Sequence, residues 1–169
     1  MYLWPEIASG ALRLSYVDAG GIRTRYVEAG NPSADEAVVF VPGTGGHLEA
    51  FTRNLLPHGK EYRTIALDMI GHGYTDKPDH DYEIRHYVKH LADFSDALGL
   101  KRIHLHGESL GGWIAAQFAI DRGIGIDVIH QRRMRGTDHF DLHVVCSFRR
   151  RWRSAAARCA RRGMRDAGG

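Results

Sequence analysis

The 169-residue sequence predicts an α/β fold: a mostly parallel sheet entered through an antiparallel hairpin. Three observations carry this. Short apolar runs, "AVVFV", "YRTIAL" and "RIHLH", alternate with segments of helical period. Each run stops at a glycine-bearing loop, as strands of a parallel sheet do before a crossover helix. Ahead of them, "ALRLSYVDAGG" and "IRTRYVEAGN" form a strand pair punctuated by glycine.

That first pair reads as a hairpin turned at Gly20–Gly21, the second strand alternating apolar Ile22 and Tyr26 with polar neighbours. "AVVFVPG" is a strand covered on both faces. "HLEAFTRNLLPHG" comes next as a helix through Leu48, Phe51 and Leu55, stopped at Pro57 and Gly59. "YRTIALDMIGHG" is the next strand, ending at Asp68. "DYEIRHYVKHLADFSDALGL" is a helix with one stripe of Ile84, Tyr87, Val88, Leu91 and Leu98, capped by Asp81 and ended by Gly99. "KRIHLHGES" is the third apolar strand, and "SLGGWIAAQFAIDRG" the helix after it.

Composition breaks near Arg122. The first 121 residues carry 11 Lys+Arg against 16 Asp+Glu, whereas residues 122–169 carry 12 Arg, no Lys and 4 Asp. The net charge of +3 is the sum of these opposite halves. The division expected is therefore residues 1–121 as the N-terminal part of an α/β domain, truncated after the helix that follows "GESLGG", and 122–169 as an irregular basic tail. Within the tail "GIGIDVIHQRR" offers one short strand. Its lysine-free, Arg/Ala/Gly-rich composition is what a shifted reading frame of a GC-rich gene yields, or a disordered segment. On this reading the "RIHLH" strand keeps a bare edge and the chain is poorly soluble. Cys146 and Cys159 do not make a disulfide framework. The start "MYLWPEIASG" has no basic and apolar leader pattern, and no run approaches a membrane span, so the expected location is cytoplasmic.

The chemistry centres on "GESLGGW", Gly107–Trp113, where Ser109 sits at the tip of a strand-to-helix turn as a candidate nucleophile. Gly107 and Gly111 permit the tight backbone crossing. The N–H of Leu110 is one candidate oxyanion donor at the helix N-terminus. The loop "VPGTGGH" after the earlier strand supplies the second, Thr44 first and Gly45 next. Neither "GTGGHL" nor "GHGYTD" has the G-x-G-x-x-G or P-loop lysine of a nucleotide-binding turn.

"VPGTGGHLEAF", "LDMIGHGYTDKP" and "HGESLGGW" together resemble, over residues 20–121, the front motifs of the α/β-hydrolase superfamily, and within it the meta-cleavage product (carbon–carbon bond) hydrolases. A serine at the elbow departs from haloalkane dehalogenases and epoxide hydrolases, which carry aspartate there. The resemblance implies a serine hydrolase acting on 2-hydroxy-6-oxo-dienoates or esters, needing a small-molecule substrate and no cofactor. It also implies an acid and a histidine further along the chain. Pro42 stands where the family has histidine, which removes an N–H and fixes φ just before the donors. Downstream, only His130, His139 and His143 with Asp127, Asp138 and Asp141 have the right types, and their surroundings lack a strand-then-loop pattern. The triad acid and histidine are thus unassigned, and the alternative is a catalytically incomplete fragment or pseudoenzyme.

Other features carry plainer readings. His86 and His90 are i, i+4 but fall opposite the apolar stripe as solvent-facing residues, so no metal site is expected. His104 and His106 share a strand face as core or site-lining residues. Asp68 ties down the "GHGYTDKP" loop, with Asp76 and Lys77 as surface charges. "RRRWR" (149–153) binds polyanions only incidentally, and no specific nucleic-acid or membrane partner is expected.

Overall fold

The computed structural model describes residues 3–34 and 36–122 in full, with the backbone of Val128–Arg133 and Phe140–Arg149. Chain order is α1 (Leu3–Ala8), β1 (Arg13–Asp18), β2 (Arg23–Ala29), β3 (Glu36–Val41), a 3-10 turn (Leu48–Phe51), α2 (Thr52–His58), β4 (Arg63–Leu67), α3 (Ile84–Ala97), β5 (Arg102–Glu108), α4 (Leu110–Asp121), β6 (Val128–Arg133) and β7 (Phe140–Arg149). The sheet order is β1-β2-β4-β3-β5-β7-β6.

β3 pairs in parallel with both β4 and β5, and β1–β2–β4 is joined by antiparallel ladders. The hairpin turns at Gly20 (φ 67°) and Gly21 (φ 90°), closed by the Ala19 N–H donating to the Ile22 carbonyl at 2.9 Å. Positive φ at both central positions matches the twist of the flanking strands. β2 departs from the expected alternation, because every residue after Arg23 is buried. Both its faces are covered, Tyr26 by one apolar layer and Val27 and Ala29 by the other. Its polar residues are therefore paired: Glu28 accepts from the Arg63 Nε at 2.9 Å and from Arg13 at 3.4 Å.

Two apolar layers cover the sheet. Tyr26, Val39, Ile65, Leu67, Leu91, Phe94, Leu105, Ile114 and Phe118 form the core under α3 and α4. Leu12, Val27, Phe40, Leu48, Phe51 and Leu55 form the core on the other face, under α2. α1, not foreseen in the sequence, contributes Leu3 to this second layer.

The helix ends obey local chemistry. α3 starts at Glu83 rather than Asp81, in a reciprocal cap with His86: the Glu83 side chain takes the His86 N–H, and the His86 ring takes the Glu83 N–H. It ends as expected at Gly99 (φ 63°), with the Leu100 N–H donating to the Ser95 carbonyl and the Gly99 N–H to that of Asp96. Pro57 lies inside the last turn of α2 instead of ending it.

The tail differs from the irregular segment expected. β6 realises the short strand read in "GIGIDVIHQRR", and β7 pairs antiparallel with β5 from Arg102↔Arg149 to Glu108↔His143. The edge of β5 is therefore not bare. The β-branched and aromatic residues of "FDLHVVCSFR" suit a strand, a signal masked by its charged and polar neighbours. The rest of residues 122–169, including 123–127, 134–139 and 150–169, lies beyond Arg122 and outside the described residues.

Candidate active site

β3 and β5 are hydrogen-bonded neighbours in register, Val41 opposite Gly107. The loops that leave their carboxyl ends therefore emerge side by side, at the edge where α/β sheets bind ligands. After β5 the backbone turns sharply at Ser109, the one non-glycine with positive φ among the described residues (φ 51°, ψ −116°). This angle is strained for a side chain and puts the exposed serine at the start of α4.

The two flanking glycines make that turn possible by close approach. A Cβ on Gly107 would collide with the Gly111 carbonyl, and one on Gly111 with the carbonyls of Val41 and Pro42. Gly111 thus seats α4 directly on the end of β3. Gly43 lies against Ser109 in turn: a Cβ there would be 3.1 Å from the Ser109 Cβ. The Gly46 N–H donates to the Gly43 carbonyl at 3.0 Å, and Gly45 has φ 69°. With Thr44 at negative φ this is a type II turn, and Thr44 and Gly45 are exposed at its tip. Leu110 is the first residue of α4, where helix N–H groups have no intrahelical acceptor. Ser109, Leu110, Gly107, Gly111 and the Thr44–Gly45 turn are thus gathered at one sheet edge.

Of the candidate acids and histidines, the described residues give backbone positions at most. Asp127, Asp138 and His139 lie outside the described residues. His130, His143 and Asp141 are placed only as strand positions, His143 opposite Glu108 and His130 opposite His143. Among the described residues no group of three or more His, Cys, Asp or Glu could hold a metal ion. No described helix is long and apolar enough to cross a membrane.

Behind the glycine turn lies a buried ionic network that the sequence pattern did not disclose. Arg25, on β2 and 2% exposed, donates to Asp68 at 3.2 Å and to Glu49 at 2.6 Å. Burial opposes the Arg25 charge, but Glu49 and Asp68 outweigh it and raise its pKa. Burial likewise pushes Glu49 up, yet the Arg25 hydrogen bond, its own backbone N–H and His47 bring it below the usual value. Asp68 performs the expected tying: its two oxygens take the Leu48 N–H at 2.8 Å and the Tyr74 N–H at 2.9 Å. Nothing in the pattern of "IRTRYVEAG" distinguishes Arg25 from a solvated strand charge.

One further expectation is corrected. His90 is buried, not solvent-facing, because α3 packs that side on the β2 and β4 ends. Asp76 and Lys77 are the exposed loop charges expected, and each is bonded: Asp76 takes the Arg23 N–H at 2.8 Å, and Lys77 donates to the Gly73 carbonyl at 2.6 Å. His104 is bonded to Glu36 at 2.8 Å, and His106 packs on Phe40 and Phe51.

Comparison with known proteins agrees with this architecture. The family model described as alpha/beta hydrolase fold matches residues 36–135. A 2-hydroxy-6-oxo-6-(2'-aminophenyl)hexa-2,4-dienoic acid hydrolase of Metapseudomonas resinovorans is 36% identical over 68% of this chain and 37% of its own length. A 2-hydroxy-6-oxo-2,4-heptadienoate hydrolase of Pseudomonas putida is 42% identical over 60% of this chain and 37% of its own length. The crystal structure of a serine hydrolase involved in carbazole degradation superposes with TM-score 0.61 at 34% identity, covering 67% of this chain and 44% of that one. The chain thus spans 37% of the length of each of these two curated relatives. With the family model covering more than half of it, on a sheet that delivers both loops to one edge, the chain belongs to the alpha/beta hydrolase fold family.

Proposed function

We propose that this chain carries the nucleophile and oxyanion half of a serine hydrolase site. The observation that carries this reading is the strained Ser109 backbone, set between Gly107 and Gly111 and against the Gly43–Gly46 turn. Strain of this kind persists only where surrounding packing imposes it, and it lifts the hydroxyl clear of the sheet. In this reading the Ser109 Oγ attacks a carbonyl carbon and the oxyanion that forms is met by the N–H groups of Leu110 and Thr44, with Gly45 as the next donor.

The substrate class we propose is a 2-hydroxy-6-oxo-dienoate, with simple esters as surrogates. Support comes from the names of two relatives at 36% and 42% identity. For the dienoate, ketonisation precedes attack at the 6-oxo carbon. The adjacent carbon–carbon bond then breaks; water supplies OH to the acyl carbon and H to the departing carbon. The site needs no cofactor for this.

A second reading comes from the sequence, in which the histidines and aspartates after Ser109 lack the strand-then-loop setting that would aim a base at it. Without a base Ser109 is an ordinary alcohol, and the chain is catalytically incomplete. Turnover of an activated acetate ester and of a chromogenic dienoate by the wild-type chain and Ser109→Ala decides between the two. Loss of turnover in the variant supports the hydrolase; equal rates support the incomplete site.

A further inference from the structure

Arg25 stands on β2, and its guanidinium spans two carboxylates, Glu49 and Asp68, that bind the segment directly after the glycine turn. Glu49 belongs to the 3-10 turn that begins two residues after Gly46, and Asp68 takes the N–H of Leu48 between them. Asp68 also takes the Tyr74 N–H, and the Thr75 hydroxyl donates to the Asp68 carbonyl while accepting the Arg25 N–H. The second Glu49 oxygen is paired with His47 at 2.6 Å. Every residue from His47 to Glu49 is therefore fixed to one buried cation.

Burying so many charges gains little stability over apolar packing, whereas it does specify geometry. The guanidinium reaches the two acids through separate nitrogens, Nη1 to Asp68 and Nη2 to Glu49, held in one rigid plane that the lysine ammonium lacks. The Gly43–Gly46 turn has no side chains to hold it, except Thr44. The His47–Glu49 segment that continues it from Gly46 is the tied part.

On the hydrolase reading, we infer that Arg25 is a positioning residue: through Glu49 and Asp68 it holds the Gly43–Gly46 turn at the distance from Ser109 that an oxyanion requires.

The test uses the full chain and two measurements. Native-state amide exchange at Leu48 and Tyr74 is compared with Leu105, a core amide of β5. In Arg25→Gln the loop amides should exchange about tenfold faster relative to Leu105, with Arg25→Lys intermediate. Arg63→Gln, which breaks the buried Arg63–Glu28 pair at the far end of the sheet, should speed all three together. Ester turnover should fall about tenfold or more in kcat in Arg25→Gln, with KM changed less than about threefold. Glu49→Gln, at a partly exposed position, repeats both measurements if Arg25→Gln does not fold. Loop exchange that merely tracks Leu105, or an unchanged kcat in a chain that depends on Ser109, overturns the inference. Failure of the hydrolase reading shows separately, as Ser109→Ala turning over like wild type; the exchange ratio then still decides whether Arg25 fixes the turn.

Discussion

The imidazole of His90 donates from Nε2 to the Thr24 hydroxyl at 2.7 Å, joining α3 to β2. The donor role is dictated by the other nitrogen, because Nδ1 accepts the Ile70 N–H at 3.2 Å. Thr24 passes its own proton to the Ile22 carbonyl at 3.0 Å. The chain is complete only with a neutral ring, since a proton on Nδ1 would face the Ile70 N–H.

Burial of that ring lowers the His90 pKa to about 4, with Asp93 opposing and Lys89 adding to the shift. The unfolded chain titrates near about 6.5, so it binds the proton that the fold refuses. Stability from this group is full above about 6.5 and is lost as pH falls toward about 4, amounting to about 3 kcal/mol. Urea unfolding at a series of pH values should show this decline, and His90→Gln should flatten it. A wild-type profile no steeper than that of the variant refutes the assignment.

Gly111→Ala should destabilise the fold by about 1–3 kcal/mol, as other overpacked contacts do. The added methyl meets the Val41 and Pro42 carbonyls, and neither is the flexible end of a side chain. The midpoint of denaturant unfolding measures it. An unchanged midpoint would mean that α4 is not seated on β3.

At the elbow, Ser109→Gly should be about 1 kcal/mol more stable than Ser109→Ala, although both lack the hydroxyl. Positive φ and the N-cap position both favour glycine there. Thermal unfolding of the two variants gives the difference, and alanine proving the more stable would contradict the strained backbone.

Thr44→Pro isolates a single backbone donor. Proline suits the second position of a type II turn, so the turn should survive while its N–H is removed. If that N–H serves the oxyanion, kcat for ester turnover falls by about a hundredfold, the scale seen for one lost donor. Unaltered kcat would move the role to Gly45.

The parallel strands, the hairpin and the elbow were legible because each rests on local rules: apolar runs, paired positive-φ glycines, and G-x-S-x-G between strand and helix. Asp68 was legible for the same reason, ending a strand before a glycine loop. Arg25 and His90 were not. Each lies where alternation or helical period points outward, and only the layers packed over both faces of β2, and α3 on the β2 and β4 ends, enclose it. β7 was hidden because its pairing with β5 spans the sequence from Arg102 to Arg149, a distance at which no local pattern reports.

The opposition of Val41 and Gly107 makes the sheet a caliper. One residue gained or lost in β3 would slide its loop by about 3.3 Å and turn its side chains to the opposite face. The level at which each of the two loops leaves the sheet is therefore written in ladder hydrogen bonds, remote from any reacting atom. A change in strand length would move that level even where every loop residue is kept.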